Sequence, residues 1–251
     1  MGGVQSKQAW AGTAAILPGI GVFKGRAGDN NEHCHWAHQI SIGLDGPIKL
    51  HSEEREYSVS GGFIRAGTPH KLAPYSVLSL YLDPTSLMAN VFIRDVVGDA
   101  AIIELPDRLN KEIGLALEDL SKLEEGVSHL YSVLGIENKT CADERLSIVV
   151  DALYRGVRER GQVGRAELAN LINLSESRFS HWFKQETGMP LRSYRKWLRI
   201  LYGLEVTMKG RNLTDAAYEA NFSDQAHFTR AFKQAFGVNP SVALREVQSV
   251  I

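Results

Sequence analysis

The last third of this 251-residue chain repeats itself. Ala169, Asn173, Leu174 and Ser175 recur as Ala217, Asn221, Phe222 and Ser223, an offset of 48. Phe183-Lys184-Gln185 and Gly188 then recur as Phe232-Lys233-Gln234 and Gly237, an offset of 49. The second copy therefore holds one extra residue between its turn and its second helix. A duplicated pattern of this kind requires each copy to form the same small unit, which excludes most other folds for this region.

Each copy reads as a helix-turn-helix. Ala169 and Ala217 are small enough for two helices to cross closely. Asn173 and Asn221 occupy the turns, where asparagine tolerates a left-handed backbone. Ser175 and Ser223 are expected to cap the second helices. Phe179, Trp182 and Phe183 in the first copy, and Phe228, Phe232 and Phe236 in the second, form the buried sides. Ser177, Ser180, His181 and Lys184 share the opposite face of one helix, and Ala226, Thr229, Arg230 and Lys233 that of the other, with Gln225 at its start. Residues 191–209 between the copies lack proline. As a helix they would span about 28 Å, near the ~34 Å between successive major-groove faces on one side of B-DNA.

Residues 165–245 resemble the DNA-binding domain of AraC/XylS-type transcription regulators. The resemblance is carried by residues 220–233, reading ANFSDQAHFTRAFK, by FGVNPS at 236–241, and by KQETG at 184–188. The one departure is asparagine at 173 and 221, where the family more often has glycine. By this resemblance Ser177, Ser180, His181, Gln225, Ala226, Thr229 and Arg230 face base edges, and Lys184 and Lys233 meet phosphate. The chemistry of Arg230 suits guanine and that of Gln225 suits adenine. Serine and alanine read bases weakly, so the first helix would depend more on shape and phosphate contacts. A plain solvated helix face is the alternative for any one of them.

The first 105 or so residues read as β structure, with strands at 39–44, 48–51, 57–60, 63–64 and 77–82 between glycine and proline turns, as in a barrel or sandwich. From Pro106 the period becomes helical. Ile113, Leu117, Leu120, Val127, Tyr131 and Leu134 form one apolar stripe, with a break expected near Gly126. Such a stripe has two destinations, a subunit seam or the chain's own barrel. The polar stretch 135–142 reads as a linker, and Asp143 as the cap of a further helix.

Two clusters stand out in the β part: His33-Cys34-His35-Trp36-Ala37-His38-Gln39, and His70 after Gly67-Thr68-Pro69. Both resemble the cupin-like sensor domains that precede such DNA-binding domains. Cupins bring HxH(x3–4)E and a later histidine onto one metal, but no glutamate follows His35 at that spacing. The expected site is therefore an organic-effector pocket in which His35, His38 and His70 make hydrogen bonds. A metal-responsive regulator ranks second and a cupin-type metalloenzyme with a helical appendage third, against histidines that bind nothing. No catalytic residue, metal ligand or cofactor is assigned.

The division of charge agrees with two tasks. Residues 161–251 hold 12 Lys+Arg against 8 Asp+Glu, and the remainder holds 16 against 21. A basic C-terminal part can face a polyanion. No run approaches the ~18 apolar residues of a membrane span, and no secretory signal precedes the β part. The first six residues match a loose N-myristoylation pattern, outweighed by a frayed terminus. Cys34 and Cys141 fit a reducing cytosol.

The expectation is thus an α+β multidomain, cytoplasmic transcription regulator. Residues 1–106 form a cupin-like β-barrel that senses an effector, 107–134 a helical dimerisation segment and 135–142 a linker. Residues 143–251 form an all-α DNA-binding domain, with helix-turn-helix motifs at 165–187 and 213–236 joined by a linker helix. The partners implied are double-stranded DNA, a small-molecule effector, a second copy in a homodimer, and RNA polymerase, with no membrane. The competing classes are an enzyme and a protein-binding scaffold.

Overall fold

The computed structural model describes residues 9–53, 55–136, 144–161 and 163–250. The myristoylation pattern, Cys141, most of the expected linker and the cap at Asp143 lie outside the described residues.

The N-terminal part is built on β1 (Ala11–Leu17), β2 (Ile20–Ala27), β3 (His38–Gly43), β4 (Ile48–Ser52), β5 (Arg55–Val59), β6 (Gly61–Ile64), β7 (Lys71–Leu72), β8 (Tyr75–Leu82) and β9 (Ile102–Glu104). A last strand, β10 (Glu246–Ser249), returns from the other end of the chain. The large sheet runs β10-β1-β2-β8-β3-β6-β9 and the small one β5-β4-β7. Each strand expected from the sequence is present within a residue or two. The β1–β2 hairpin was missed because Ala and Gly dilute its alternation.

Strand β3 shows why so much of this part is buried. Ile40 and Ile42 pack on one face with Leu78 and Leu80 of β8, beneath helices. Gln39 and Ser41 point to the other face, shared with Ser79 and Tyr81. A sheet covered on both sides reads as a continuous buried run rather than a clean alternation.

Those covering helices are α1 (Leu87–Phe92), α2 (Asp107–Ala116) and α3 (Leu123–Val133). The helical break falls at 117–119, not near Gly126 as expected. Gly126 instead lies within α3, where a Cβ would collide with the Ala116 carbonyl, so the missing side chain lets α2 and α3 cross. Ile113, Leu117, Leu120 and Val127 are buried in one cluster with Ile40, Leu80 and Phe92, and Tyr131 and Leu134 pack on its margin. The stripe is therefore consumed by the chain's own sheet. Ile113, Leu117, Leu120 and Val127 therefore have their apolar area removed from water within one chain, whereas Tyr131 and Leu134 stay half-buried.

The C-terminal part comprises α4 (Glu144–Arg158), α5 (Arg165–Leu171), α6 (Glu176–Thr187), α7 (Leu191–Met208), α8 (Leu213–Glu219), α9 (Gln225–Phe236) and α10 (Pro240–Ala243). Its core holds Phe179, Phe183, Tyr194, Trp197, Phe228 and Phe232, all at most 3 % exposed. Several contacts join the two parts, among them the following. Strand β10 pairs parallel to β1, Tyr194 donates from its hydroxyl to Asp83 at 3.3 Å, and the Asn31 N–H donates to the Gly237 carbonyl at 2.9 Å.

Candidate nucleic-acid interface and sensor histidines

The two helix-turn-helix units form as the repeat requires. Asn173 and Asn221 have φ of 54° and 64°, the left-handed turns expected of them. Gly188 and Gly237, with φ of 72° and 70°, end the second helices. Ser175 caps α6 by accepting from Arg178 N. In the second unit the cap is not Ser223 but Asp224, whose Oδ1 accepts from His227 N at 2.7 Å. Ser223 instead donates from its hydroxyl to Asp224 Oδ2. The caps Ser175 and Asp224 thus keep the later offset, which identifies Ser223 as the extra turn residue. A carboxylate at this position also meets the helix dipole favourably.

On α6, Ser177, His181 and Lys184 are exposed, while Ser180 is half-buried and its hydroxyl bonds back to the Glu176 carbonyl at 3.0 Å. On α9, Gln225, Ala226, Arg230 and Lys233 are exposed and Thr229 is half-buried. Thr214 of α8 donates to Gln225 Oε1 at 2.8 Å and orients that side chain. One positioning residue escaped the sequence reading. Arg199 of α7 donates to the Ala220 carbonyl at 2.9 Å and lies 4.5 Å over the Phe222 ring, bracing the second turn against the connecting helix. Nothing in its sequence neighbourhood marks it, because its partners are about 20 residues away.

The histidines divide differently from the expectation. His35 and His70 meet, with ring centroids 5.0 Å apart, and His33 joins them at 4.4 Å from His70. His33 and His70 form an antiparallel bridge, exchanging two backbone hydrogen bonds of 2.9 Å, which places their side chains together. His38 begins β3 on the opposite face. It stacks on Phe63 at 5.5 Å and accepts from Ala66 N at 3.0 Å, so strand alternation removes it from the group.

Each of the three clustered rings has Nδ1 2.9 Å from a backbone carbonyl: Asn31 for His33, Ala37 for His35 and Thr68 for His70. A carbonyl only accepts, so Nδ1 carries the proton in each ring. Burial pushes the three imidazoles down from 6.5, to about 4 for His33, about 3 for His35 and about 4 for His70. They are neutral at neutral pH, and every Nε2 presents a lone pair. Gln39 lies among them, its Oε1 2.9 Å from His35 Nε2 and 3.1 Å from His70 Nε2. Gln39 was also missed. It stands four residues beyond His35, at the spacing where a carboxylate was sought, and a search admitting glutamine would have found it.

The helix-turn-helix domain family matches residues 168–246. The probable transcriptional regulator LumQ of Photobacterium leiognathi is 27 % identical over 227 residues, covering 83 % of this chain and 90 % of LumQ. The arabinose operon regulatory protein of Escherichia coli is 34 % identical over 77 residues, which is 30 % of this chain and 26 % of that protein. Apo ToxT from Vibrio cholerae superposes with a TM-score of 0.59 at 12 % identity, covering 89 % of this chain and 96 % of ToxT. Residues 168–246 are thus a helix-turn-helix domain, and the chain is similar to transcription regulators of the AraC type. The likeness to ToxT extends the shared fold through the β-rich N-terminal part.

Between the two parts lies a cavity of about 930 Å³. Its walls include Trp10, Phe23 and Tyr81 from the sheet side and Tyr154, Leu201 and Met208 from α4 and α7. His33 and Gln39 reach it, whereas His35, His38 and His70 do not line it. Among the described residues, no helix is long and apolar enough to cross a membrane.

Proposed function

We propose that the regulator reads double-stranded DNA by placing α6 and α9 in successive major grooves. The observation that carries this is the pair of exposed polar faces flanking one 18-residue helix, α7, of roughly 27 Å. Ser177, Ser180, His181, Gln225, Ala226, Thr229 and Arg230 meet base edges, and Lys184 and Lys233 meet phosphate. Because the Ser180 hydroxyl is occupied by its own helix, His181 and Lys184 carry most of the first unit's contact. Regulation, rather than catalysis, is the reading favoured by the names of its relatives. The division at 106, 134 and 142, homodimer formation, contact with RNA polymerase and a cytoplasmic location belong to the same proposal, with β10 crossing back to the sensor sheet.

A gel-shift assay on an operator selected by the purified protein tests the DNA reading. Arg230→Ala should weaken binding by about 1–3 kcal/mol and relax preference at one base pair. Lys184→Ala and Lys233→Ala should weaken binding to all sequences and each flatten the salt slope by about one. Wild-type affinity and preference in Arg230→Ala would sink the assignment of α9 to a groove.

The N-terminal part senses a small, largely apolar molecule held in the cavity between the two parts. Aromatic and aliphatic walls with a few polar groups suit such a ligand, and its position between the parts lets occupancy alter their packing. ToxT has been crystallised with an unsaturated fatty acid bound, so oleate is a reasonable probe. It should change the emission of Trp10 and Trp197 saturably. Leu201→Phe, which narrows the cavity, should weaken that response at least about tenfold while DNA binding persists. Emission that stays flat on addition of oleate would remove fatty acids from the ligand class.

A further inference from the structure

We propose that Glu176 is a specificity-determining residue of the first helix-turn-helix, selecting a C·G base pair, and that Arg165 is the positioning residue that holds its carboxylate. This role rests on the placement of α6 and α9 in major grooves and adds the base class that the first unit prefers. An offset of 49 pairs Ser177, Ser180, His181 and Lys184 of α6 with Ala226, Thr229, Arg230 and Lys233 of α9. Gln225, which completes the outward face of α9, has Glu176 as its counterpart at the same offset. Each is the first residue of its helix, and each is exposed. Positions i, i+1, i+4, i+5 and i+8 lie on one side of a helix, so Glu176 belongs to the face that Gln225 occupies in the second unit.

The two side chains are also held alike. Thr214, in the first turn of α8, donates to Gln225 Oε1 at 2.8 Å. Arg165, the first residue of α5, donates from Nε to Glu176 Oε2 at 2.7 Å. Each bond joins residues 11 apart and ties the start of the second helix to the first turn of the helix before it.

The two ties differ in charge, since the second unit uses a neutral pair and the first an ion pair. A carboxylate among phosphates is repelled unless a cation stands beside it. Arg165 supplies that cation from the helix that crosses the DNA backbone in a helix-turn-helix. Its guanidinium carries five N–H donors in a fork, so one can hold Glu176 while others reach a phosphate. An ionised carboxylate only accepts hydrogen bonds. In the major groove cytosine offers the N4 donor, whereas guanine offers acceptors alone and adenine sets its N7 acceptor beside N6. Glu176 therefore favours cytosine and rejects guanine. It supplies the discrimination that Ser177 and the self-bonded Ser180 lack.

Selection of bound duplexes from a randomised library by the full chain, at one fixed salt concentration, tests the assignment. The wild type should require a C·G pair at one position of the half-site read by α6. Glu176→Gln should turn that position to A·T, because glutamine pairs with adenine N6 and N7, and the change in relative affinity should be roughly 5–150-fold. The half-site read by α9 should stay the same. Glu176 is exposed, so the circular dichroism spectrum should be unchanged. An ion pair that only steadies α6 would move the melt and leave the preferred sequence as it was. That outcome overturns the proposal and spares the DNA reading. A wild type that enriches no sequence overturns both. Arg165→Ala should weaken binding to the selected duplex at least about tenfold, because the carboxylate is then left unshielded among phosphates. Adding Glu176→Gln should restore most of that loss by removing the charge. Absence of any restoration would overturn the role given to Arg165.

Discussion

Between pH 6.5 and pH 4 the protein should lose stability steeply. His35, His38 and His70 are 2 %, 7 % and 1 % exposed. Burial pushes their imidazoles from 6.5 to about 3, about 4 and about 4, with the neighbouring His70 adding to the shift of His35, Arg65 to that of His38 and His33 to that of His70. In the unfolded chain these groups take up protons as pH falls through 6.5, whereas in the folded chain they stay neutral until about 4. The unfolded state therefore binds more protons throughout that window, and acid favours it. Above 6.5 the three rings are neutral in both states and contribute no pH dependence. Each such proton is worth about 1.4 kcal/mol per pH unit, so three give about 4 kcal/mol per unit at the steepest. Over two units this is comparable with a typical total stability of ~5–15 kcal/mol. Asp83 acts in the opposite sense, since burial raises its carboxyl pKa and acid then favours the folded state through that one group. Urea midpoints measured at pH 7, 6 and 5 should fall progressively. A flat series would mean that these histidines are not held neutral in the folded protein.

Phe228→Ala should be the most damaging single truncation in the DNA-binding part. Phe228 is fully buried, with ring centroids 5.3 Å from Phe222 and 6.0 Å from Phe232. Its ring edge lies against Gly203 of α7, where a Cβ would come within 2.7 Å of it. Deleting a buried phenylalanine costs about 3–5 kcal/mol, which in a chain of this size lowers the melting point by roughly 10 °C. DNA binding should fall with it, because α9 is fixed to α7 through this ring. Arg230, two residues on, supplies the contrast: its removal should weaken DNA binding and leave the melt unchanged. A Phe228→Ala melt within a degree or two of wild type would show that the ring does not anchor α9.

In the proposed reading, the contacts between the two parts are what couple sensing to DNA binding. The cavity, the Tyr194–Asp83 hydrogen bond and the Asn31–Gly237 hydrogen bond all lie between the two parts. A ligand that packs better in one relative placement than another shifts the population of placements by its differential affinity.

The sequence by itself determined what short-range pattern can carry. The offset of 48 and then 49 defined two helix-turn-helix units, their left-handed asparagines and the faces they turn outward, because helix periodicity and turn chemistry are local. It also located most of the strands. Tertiary structure alone decided where long-range partners meet. The stripe from Ile113 to Leu134 has the same period whether it covers its own sheet or another subunit, and only packing chose the sheet. His38 was grouped with His35 by proximity in sequence, yet strand alternation turned it away, while a two-residue bridge brought His70 and His33 together across 37 positions. Gln39, Arg199 and the return of β10 to β1 were silent for the same reason: each acquires its role from a residue far along the chain, and the sequence near it holds no record of that contact.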